Sequence, residues 1–332
     1  MSGMALVTGG AGFVGSHLVD ALLRRGDEVR VFDSVPLSDA RNLREARDMR
    51  GFRYFQGDVR DRPALERALH PDVSVVYHLA SIVGVHRYMD DPFGLIDVTI
   101  GGTRNVAEIA LERGIRLLYT STSEVLGKNP NVPWQEDADR VLGSTSVDRW
   151  SYATSKAVCE HMLLALHKKR GLPVTIVRYF NAYGPRQAPI FLVSKCVQQV
   201  LTGRRPLLYD SGRQTRCLTY IDDEIRGTVL AAEHPAAVGE VFNLGNDREV
   251  SIREVVEHVT RAAGSRLEPE PFDTRERYGA AYEDIPRRVP AVDKARRVLA
   301  WEARVPHEEG IRRTVEWARA AENAWYLEAG GG

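Results

Sequence analysis

Thr8-Gly9-Gly10-Ala11-Gly12-Phe13-Val14-Gly15-Ser16-His17-Leu18 follows directly on the apolar run Met4-Ala5-Leu6-Val7. The two pieces read as a strand that turns sharply into a helix. Glycines at positions 9, 12 and 15 allow a tight turn, a close backbone approach to phosphate, and close packing of the new helix on its strand. The start of that helix offers unpaired N–H groups and a partial positive charge to an anion. Gly9, Gly12, Phe13 and Val14 are therefore expected around a dinucleotide pyrophosphate. A second apolar strand, Glu28-Val29-Arg30-Val31-Phe32, ends at Asp33, about twenty residues past the glycines, where a carboxylate accepts hydrogen bonds from the adenosine ribose hydroxyls. The same carboxylate repels a 2′-phosphate, so NAD is expected rather than NADP.

Outward from this turn, strands are predicted at 4–8, 28–32, 53–55, 74–79, 116–121 and 173–178, with helices at 13–25, 62–69, 93–113 and 150–170. Such alternation is the pattern of an α/β fold, a Rossmann-like doubly wound parallel sheet. Asp58 and Val59 follow the third strand, where an adenine edge is held. Leu79, Ala80 and Ser81 end the fourth strand, at the carboxyl edge where ligands of such sheets bind. After residue 178 the alternation loosens. A helix over 190–202, short strands at Leu207–Tyr209 and Arg216–Tyr220, a loop-rich 265–290 and a helix over 308–326 suggest a smaller α/β substrate-binding lid. Residues 1–178 are expected to form the NAD-binding domain, with 213–250 returning to it, and 179–212 with 251–332 the second domain.

Composition narrows the partners. The 332 residues carry 45 Lys plus Arg against 45 Asp plus Glu, so no net field points to nucleic acid or an acidic membrane. Cys159, Cys196 and Cys217 are widely spaced and in no metal-ligand pattern; no metal and a reducing, cytoplasmic location are expected. No apolar run approaches the ~20 residues of a membrane span, and no signal peptide precedes the first strand.

Tyr152 and Lys156 stand four apart on a predicted helix and share one face. A tyrosine with its ordinary pKa near 10 is a poor base at neutral pH. A neighbouring ammonium stabilises the phenolate, and can also hold the nicotinamide ribose. Directly after the fifth strand comes Ser121-Thr122-Ser123-Glu124-Val125-Leu126-Gly127. Its hydroxyls can reach a substrate hydroxyl and the tyrosine oxygen, and Glu124 adds a carboxylate suited to acid/base work at a second carbon. A Ser/Thr/Glu cluster can also serve only as a helix cap.

Taken together, the glycine turn, Asp33, Asp58-Val59, His78-Leu79-Ala80-Ser81, Thr122-Ser123-Glu124, Tyr152/Lys156 and Arg178-Tyr179-Phe180-Asn181-Ala182-Tyr183-Gly184-Pro185-Arg186 resemble the extended short-chain dehydrogenase/reductases. These are NAD-dependent epimerases and dehydratases of nucleotide sugars. The resemblance covers nearly the whole chain, and it implies oxidation of the sugar C4 hydroxyl as the first step. The Thr-Ser-Glu pattern is similar to that of the UDP-glucuronate decarboxylases, which make UDP-xylose or the keto pentose of the aminoarabinose pathway; the 4,6-dehydratases typically carry Asp-Glu instead. By the same resemblance Arg216 takes a diphosphate position. Tyr282 to Pro290 matches a segment bearing a substrate-site arginine, which falls on Arg288 and not on Arg287. Arg87, Asn181, Arg186 and Tyr282 are implied as further substrate contacts.

The implied reaction is C4 oxidation of UDP-glucuronate, loss of carbon dioxide from the resulting β-keto acid, and formation of a UDP-4-keto-pentose or UDP-xylose. A 4-epimerase would use the same Tyr152 and Lys156, a 4,6-dehydratase lacks its Asp-Glu pair here, and a non-catalytic NAD-sensing protein would need neither Tyr152, Lys156 nor Glu124. Leu126 and Val98 depart from the family's usual Tyr and Asn, and 128–149 is expected to border the sugar pocket. The resemblance further implies a homodimer through 93–113 and 150–170, whose outer faces mix apolar residues such as Ile100, Val106, Ile109 and Ala110 with charge; the alternative is that these residues simply pack on the sheet.

Overall fold

The computed structural model of the chain describes residues 3–84, 89–273, 285 and 287–328. Its centre is a seven-stranded sheet made of β1 (Met4–Thr8), β2 (Glu28–Asp33), β3 (Phe52–Gln56), β4 (Val73–His78), β5 (Arg116–Thr122), β6 (Val174–Tyr179) and a later strand, Val241–Leu244. Spatial order runs from Val241–Leu244 through β6, β5, β4, β1 and β2 to β3, and every neighbouring pair is parallel. Chain direction across the sheet therefore reverses between β1 and β4, the switch point at which such sheets bind ligands beyond their carboxyl ends.

The strands are apolar on both faces because helices cover both. On one side lies α1 (Phe13–Arg25), with Leu18, Val19 and Leu22 fully buried. On the other lie α2 (Arg62–Ala68), α3 (Pro92–Arg113) and α4 (Arg149–Arg170), whose Leu65, Ile109 and Leu163 join a second core beneath the sheet. Asp91 caps α3 by accepting from the Gly94 N–H at 2.8 Å, with Pro92 in the first turn, a position where its missing N–H costs nothing. Mid-helix Gly102 lets Val59 approach; a Cβ there would meet the valine Cγ2 at 2.4 Å. Every element predicted up to residue 178 is present, with its ends within one residue.

Beyond 178 the chain is more regular than its pattern suggests. After β7 (Ala182–Tyr183), α5 (Leu192–Leu201), β8 (Leu207–Tyr209), β9 (Thr215–Arg216) and β10 (Thr219–Tyr220) come α6 (Ile221–Glu233) and β11 (Val241–Leu244), which return to the sheet. The signal for α6 was available in Asp222-Asp223-Glu224, since acidic residues favour the first turn of a helix. β12 (Val250–Ser251) leads into α7 (Ile252–Ala262), started by a capping box between Ser251 and Glu254. After β13 (Glu270–Phe272) come α8 (Asp293–Leu299) and α9 (His307–Arg319).

The single helix predicted over 308–326 is broken. Ala320 is extended and Asn323, almost fully buried, turns its side chain back to the Trp317 carbonyl, before α10 (Ala324–Glu328) resumes. One apolar core runs from α1 through α6 into α5, α7 and α9, so the two halves share packing. Of the apolar residues expected on the outer faces of α3 and α4, Val106, Ile109 and Ala110 are buried against the sheet. Those helices instead expose Phe93, Ile96 and Val158. Among the described residues no helix is long and apolar enough to cross a membrane.

Candidate active site

The glycine turn lies at the switch point. Gly9 has φ +71°, and a Cβ on it would meet the Ala80 backbone nitrogen at 2.7 Å. A Cβ on Gly15 would lie 2.2 Å from the Gly9 carbonyl oxygen. The helix starts at Gly12 with no side-chain cap and no acidic residue in its first turn, so its N–H groups are left for an anion. Asp33 stands before this cradle. Its Oδ2 accepts from the Ala11 N–H at 2.9 Å and its Oδ1 from Val35 at 3.1 Å; burial pushes its pKa up, and those backbone donors pull it down.

Leu79 and Ala80 donate to the Thr8 carbonyl and hydroxyl, at 3.1 and 3.3 Å, which draws the end of β4 past the turn. Ser81 shares a hydrogen bond with Thr99 at 3.4 Å. Asp58 is ion-paired with Arg60 at 2.6 Å, which lowers its pKa, and Val59 is buried beneath it. These residues fit a dinucleotide: an uncapped helix end for the pyrophosphate, a carboxylate at the ribose position, and a turn with no room for side chains.

Sequence reasoning named His78 within the motif that ends β4 and gave it no role of its own. The ring is enclosed between Thr8 Oγ1 at 2.7 Å and Thr103 Oγ1 at 3.1 Å, tying β1 to α3 beneath the cofactor edge. Burial, helped by the Lys156 charge, drives its pKa down to about 3, so it is a neutral structural linker.

At the same edge the end of β5 meets α4. Lys156 is buried and donates to the Thr120 carbonyl at 2.8 Å; burial lowers its pKa to about 8. Tyr152, one turn earlier on the same face, is hydrogen-bonded with the Thr122 hydroxyl. Burial first, and then the Glu124 carboxylate, hold the phenol well above its usual range, while the Thr122 bond opposes them. Ser123 is buried beside them. Ser121 points the other way and donates to Glu160 at 2.5 Å. Glu160 in turn forms a buried pair with Arg178, at 2.9 and 2.6 Å, which braces β6 against α4.

Glu124 is met from the far end of the chain. Arg288 Nη1 donates to its Oε1 at 3.2 Å, with both side chains largely buried. Glu124 Oε2 and Arg288 Nε have no hydrogen-bond partner among the described residues. Arg287, the neighbouring alternative, faces outward and pairs with Glu249 at 2.5 Å. What puts Arg288 here is the 128–149 segment, whose contacts could not be read in the sequence. The Trp134 N–H donates to the Val289 carbonyl and the Trp134 carbonyl accepts from Ala291, at 2.8 and 2.9 Å. Asn243 on β11 donates to that same Trp134 carbonyl at 2.8 Å. Trp134 is fully buried against Phe180. Trp134 and Asn243 are thus site residues that no local pattern marks.

Asn181 lies on the loop after β6 with φ +39°, its Oδ1 buried and unpartnered. Arg216 is on β9, opposite Val250 of β12. Arg186, expected at the substrate, is not brought to this group: its guanidinium donates to Asp20 of α1 at 2.8 Å, because the chain turns at Gly184 and Pro185 toward that helix. Arg87 and Tyr282 lie outside the described residues.

This arrangement is matched by known proteins. The sequence profile of the NAD dependent epimerase/dehydratase family fits residues 5–245. The chain belongs to that family. It is 36% identical, over 97% of its length and 100% of the relative's, to a UDP-N-acetyl-alpha-D-glucosaminuronate decarboxylase of Bacillus cytotoxicus. It is 35% identical, over 95% of its length and 72% of the relative's, to UDP-glucuronic acid decarboxylase 1 of Xenopus tropicalis. Among solved structures it is similar to the UDP-glucose 4-epimerase of Thermotoga maritima with UDP-glucose, with TM-score 0.85 and 30% identity over 95% of this chain and 98% of that one. The family member described here is thus an NAD-dependent enzyme of the nucleotide-sugar type, built on the Rossmann-like sheet.

Proposed function

We propose that this enzyme is a decarboxylase of a UDP-activated hexuronate, either UDP-glucuronate or its 2-acetamido counterpart, which the two decarboxylase relatives named above act on. The observation that carries this reading is the buried Glu124–Arg288 pair beside Tyr152 and Thr122. NAD, when bound, supplies the oxidant for the sugar C4 carbon. Tyr152 takes the C4 hydroxyl proton, with the Thr122 hydroxyl as its hydrogen-bond partner. Lys156, with a pKa of about 8, remains an ammonium at neutral pH and supplies positive charge on the same helix face.

Once C4 is a ketone, the C6 carboxylate is β to it. The C5–C6 bond breaks, carbon dioxide leaves, and the electron pair settles on the C4 oxygen as an enolate. A proton then goes to C5. Arg288 binds the substrate carboxylate before cleavage, a charge-assisted contact that guanidinium forks make well. Glu124 and Ser123 line the C5 side and handle the proton there. The C2 substituent is remote from every bond that changes, so the same residues serve both sugars. Asn181 and Arg216 hold the nucleotide diphosphate.

A UDP-sugar 4-epimerase is the second reading, favoured by the likeness to the Thermotoga enzyme and by its use of the same Tyr152 and Lys156. Incubation with NAD and each UDP-uronate, followed by mass spectrometry, separates the two. Loss of the carboxyl mass is expected; an isomer of unchanged mass would sink the decarboxylase reading in favour of the epimerase.

A further inference from the structure

Arg186 is the residue whose expected role and observed place diverge most. It sits at φ +69°, and Asn181, five residues earlier across the short strand β7, at φ +39°; such backbone is unfavourable without a compensating contact unless the residue is glycine. The compensation comes from α1. Arg186 Nη2 is 2.8 Å from Asp20 Oδ2, with the two side chains only 9% and 3% exposed. One turn nearer the helix start, His17 Nε2 donates to the Pro185 carbonyl at 2.9 Å. The His17 ring packs edge-on against Phe13 at 5.7 Å, in the first turn of the helix that faces the pyrophosphate. Phe13, His17 and Asp20 form one stripe along α1. It runs from the cofactor end of the helix to the loop that presents the unpartnered Asn181 Oδ1.

We propose that Asp20 and Arg186, with His17, clamp the 181–186 segment, which contains β7, to the cofactor helix, so that filling the dinucleotide site raises the affinity for the nucleotide diphosphate. This inference rests on the reading that Asn181 and Arg216 bind that group. Arg186 is then a positioning residue: it fixes Asn181 through the loop and touches neither ligand. A buried pair suits the task, because breaking it leaves an uncompensated charge and the loop cannot settle into an alternative at low cost. Coupling of this kind is reciprocal, so NAD must bind tighter in the presence of UDP by the same factor.

The test is titration calorimetry with UDP as the probe, on the whole chain with and without saturating NAD. Wild-type protein is expected to bind UDP about tenfold tighter with NAD present, and Arg186→Met to reduce that ratio to below about threefold. Asp20→Asn keeps the shape of the side chain and should do the same if Arg186→Met does not fold; circular dichroism reports which variants are native. A ratio near one in the wild type, or one unchanged in the folded variants, overturns the clamp while leaving the nucleotide-sugar reading intact. Failure of wild-type protein to bind UDP at all overturns that reading and the clamp with it.

Discussion

Glu124 and Arg288 meet at 3.2 Å, yet they arrive there by different routes. Glu124 belongs to a region in which neighbours in sequence are neighbours in space: β5 ends, the Thr122 hydroxyl accepts the Glu124 N–H at 3.2 Å, and the carboxylate follows at the sheet edge. Arg288 belongs to a region with little local structure, where position comes from distant partners. Trp134 supplies two backbone bonds and Asn243 supplies the amide that holds Trp134. The difference teaches where this site is robust. On the proposed function, its oxidation half is carried directly by the sheet, while its carboxylate half depends on a few long-range contacts that reach the sheet through Asn243 of β11.

Three experiments would sharpen or break that contrast. The largest effect is expected at the sheet-borne half: Tyr152→Phe should lower kcat about 100- to 10,000-fold, as loss of an acid/base group does, with melting temperature little changed. An equally large loss of stability would mean that Tyr152 is a packing residue. Next comes the other half. Trp134→Ala should cost about 3–5 kcal/mol of stability and should weaken turnover, because the indole that packs on Phe180 and bonds to the Asn129 carbonyl no longer fixes the backbone that holds Val289 and Ala291 beside Arg288. A folded Trp134→Ala protein with normal turnover would show that this backbone keeps its place without the indole.

The smallest effect concerns pH. His78 and His17 are held neutral by burial, at about 3 and about 4 against an ordinary 6.5. Below about pH 6.5 the unfolded chain therefore takes up protons that the folded chain refuses, so stability falls as pH drops toward those values. Both histidines serve β1 and α1, whereas Trp134 is held by backbone, indole and amide hydrogen bonds, which do not titrate. Thermal unfolding followed at pH 7 and pH 5 should show the loss, and His78→Gln should reduce it. A wild-type profile flat over that range would contradict the assignment of neutral, buried imidazoles.

The same contrast governs what can be read from sequence. Glycine spacing, an acidic residue after β2 and the Tyr152/Lys156 interval are local signals, because a strand–turn–helix unit and one helix face fix their geometry. The elements of the first half followed from hydrophobic period alone. In the second half, short strands and loops carry no period: 213–250 was expected to return to the first domain, but α6 and β11 were not read as elements, although Asp222-Asp223-Glu224 marked a helix start. Arg186 was assigned by resemblance to the substrate. Its place was decided by Asp20, 166 positions away in sequence, a buried partner that no motif announces. The apolar residues of α3 were likewise left open between an outer face and the sheet, since a helix lying on a sheet hides one stripe and the period does not say which.

The most direct test of the divided site is single-turnover kinetics on Arg288→Met with a UDP-uronate labelled in its carboxyl carbon, following cofactor reduction and labelled carbon dioxide separately, with Arg287→Met as the control. Cofactor reduction should proceed within a few-fold of wild type while carbon dioxide release falls about 100-fold, and Arg287→Met should alter neither appreciably. Carbon dioxide release unaffected in Arg288→Met, or lost to the same degree in Arg287→Met, would contradict the account.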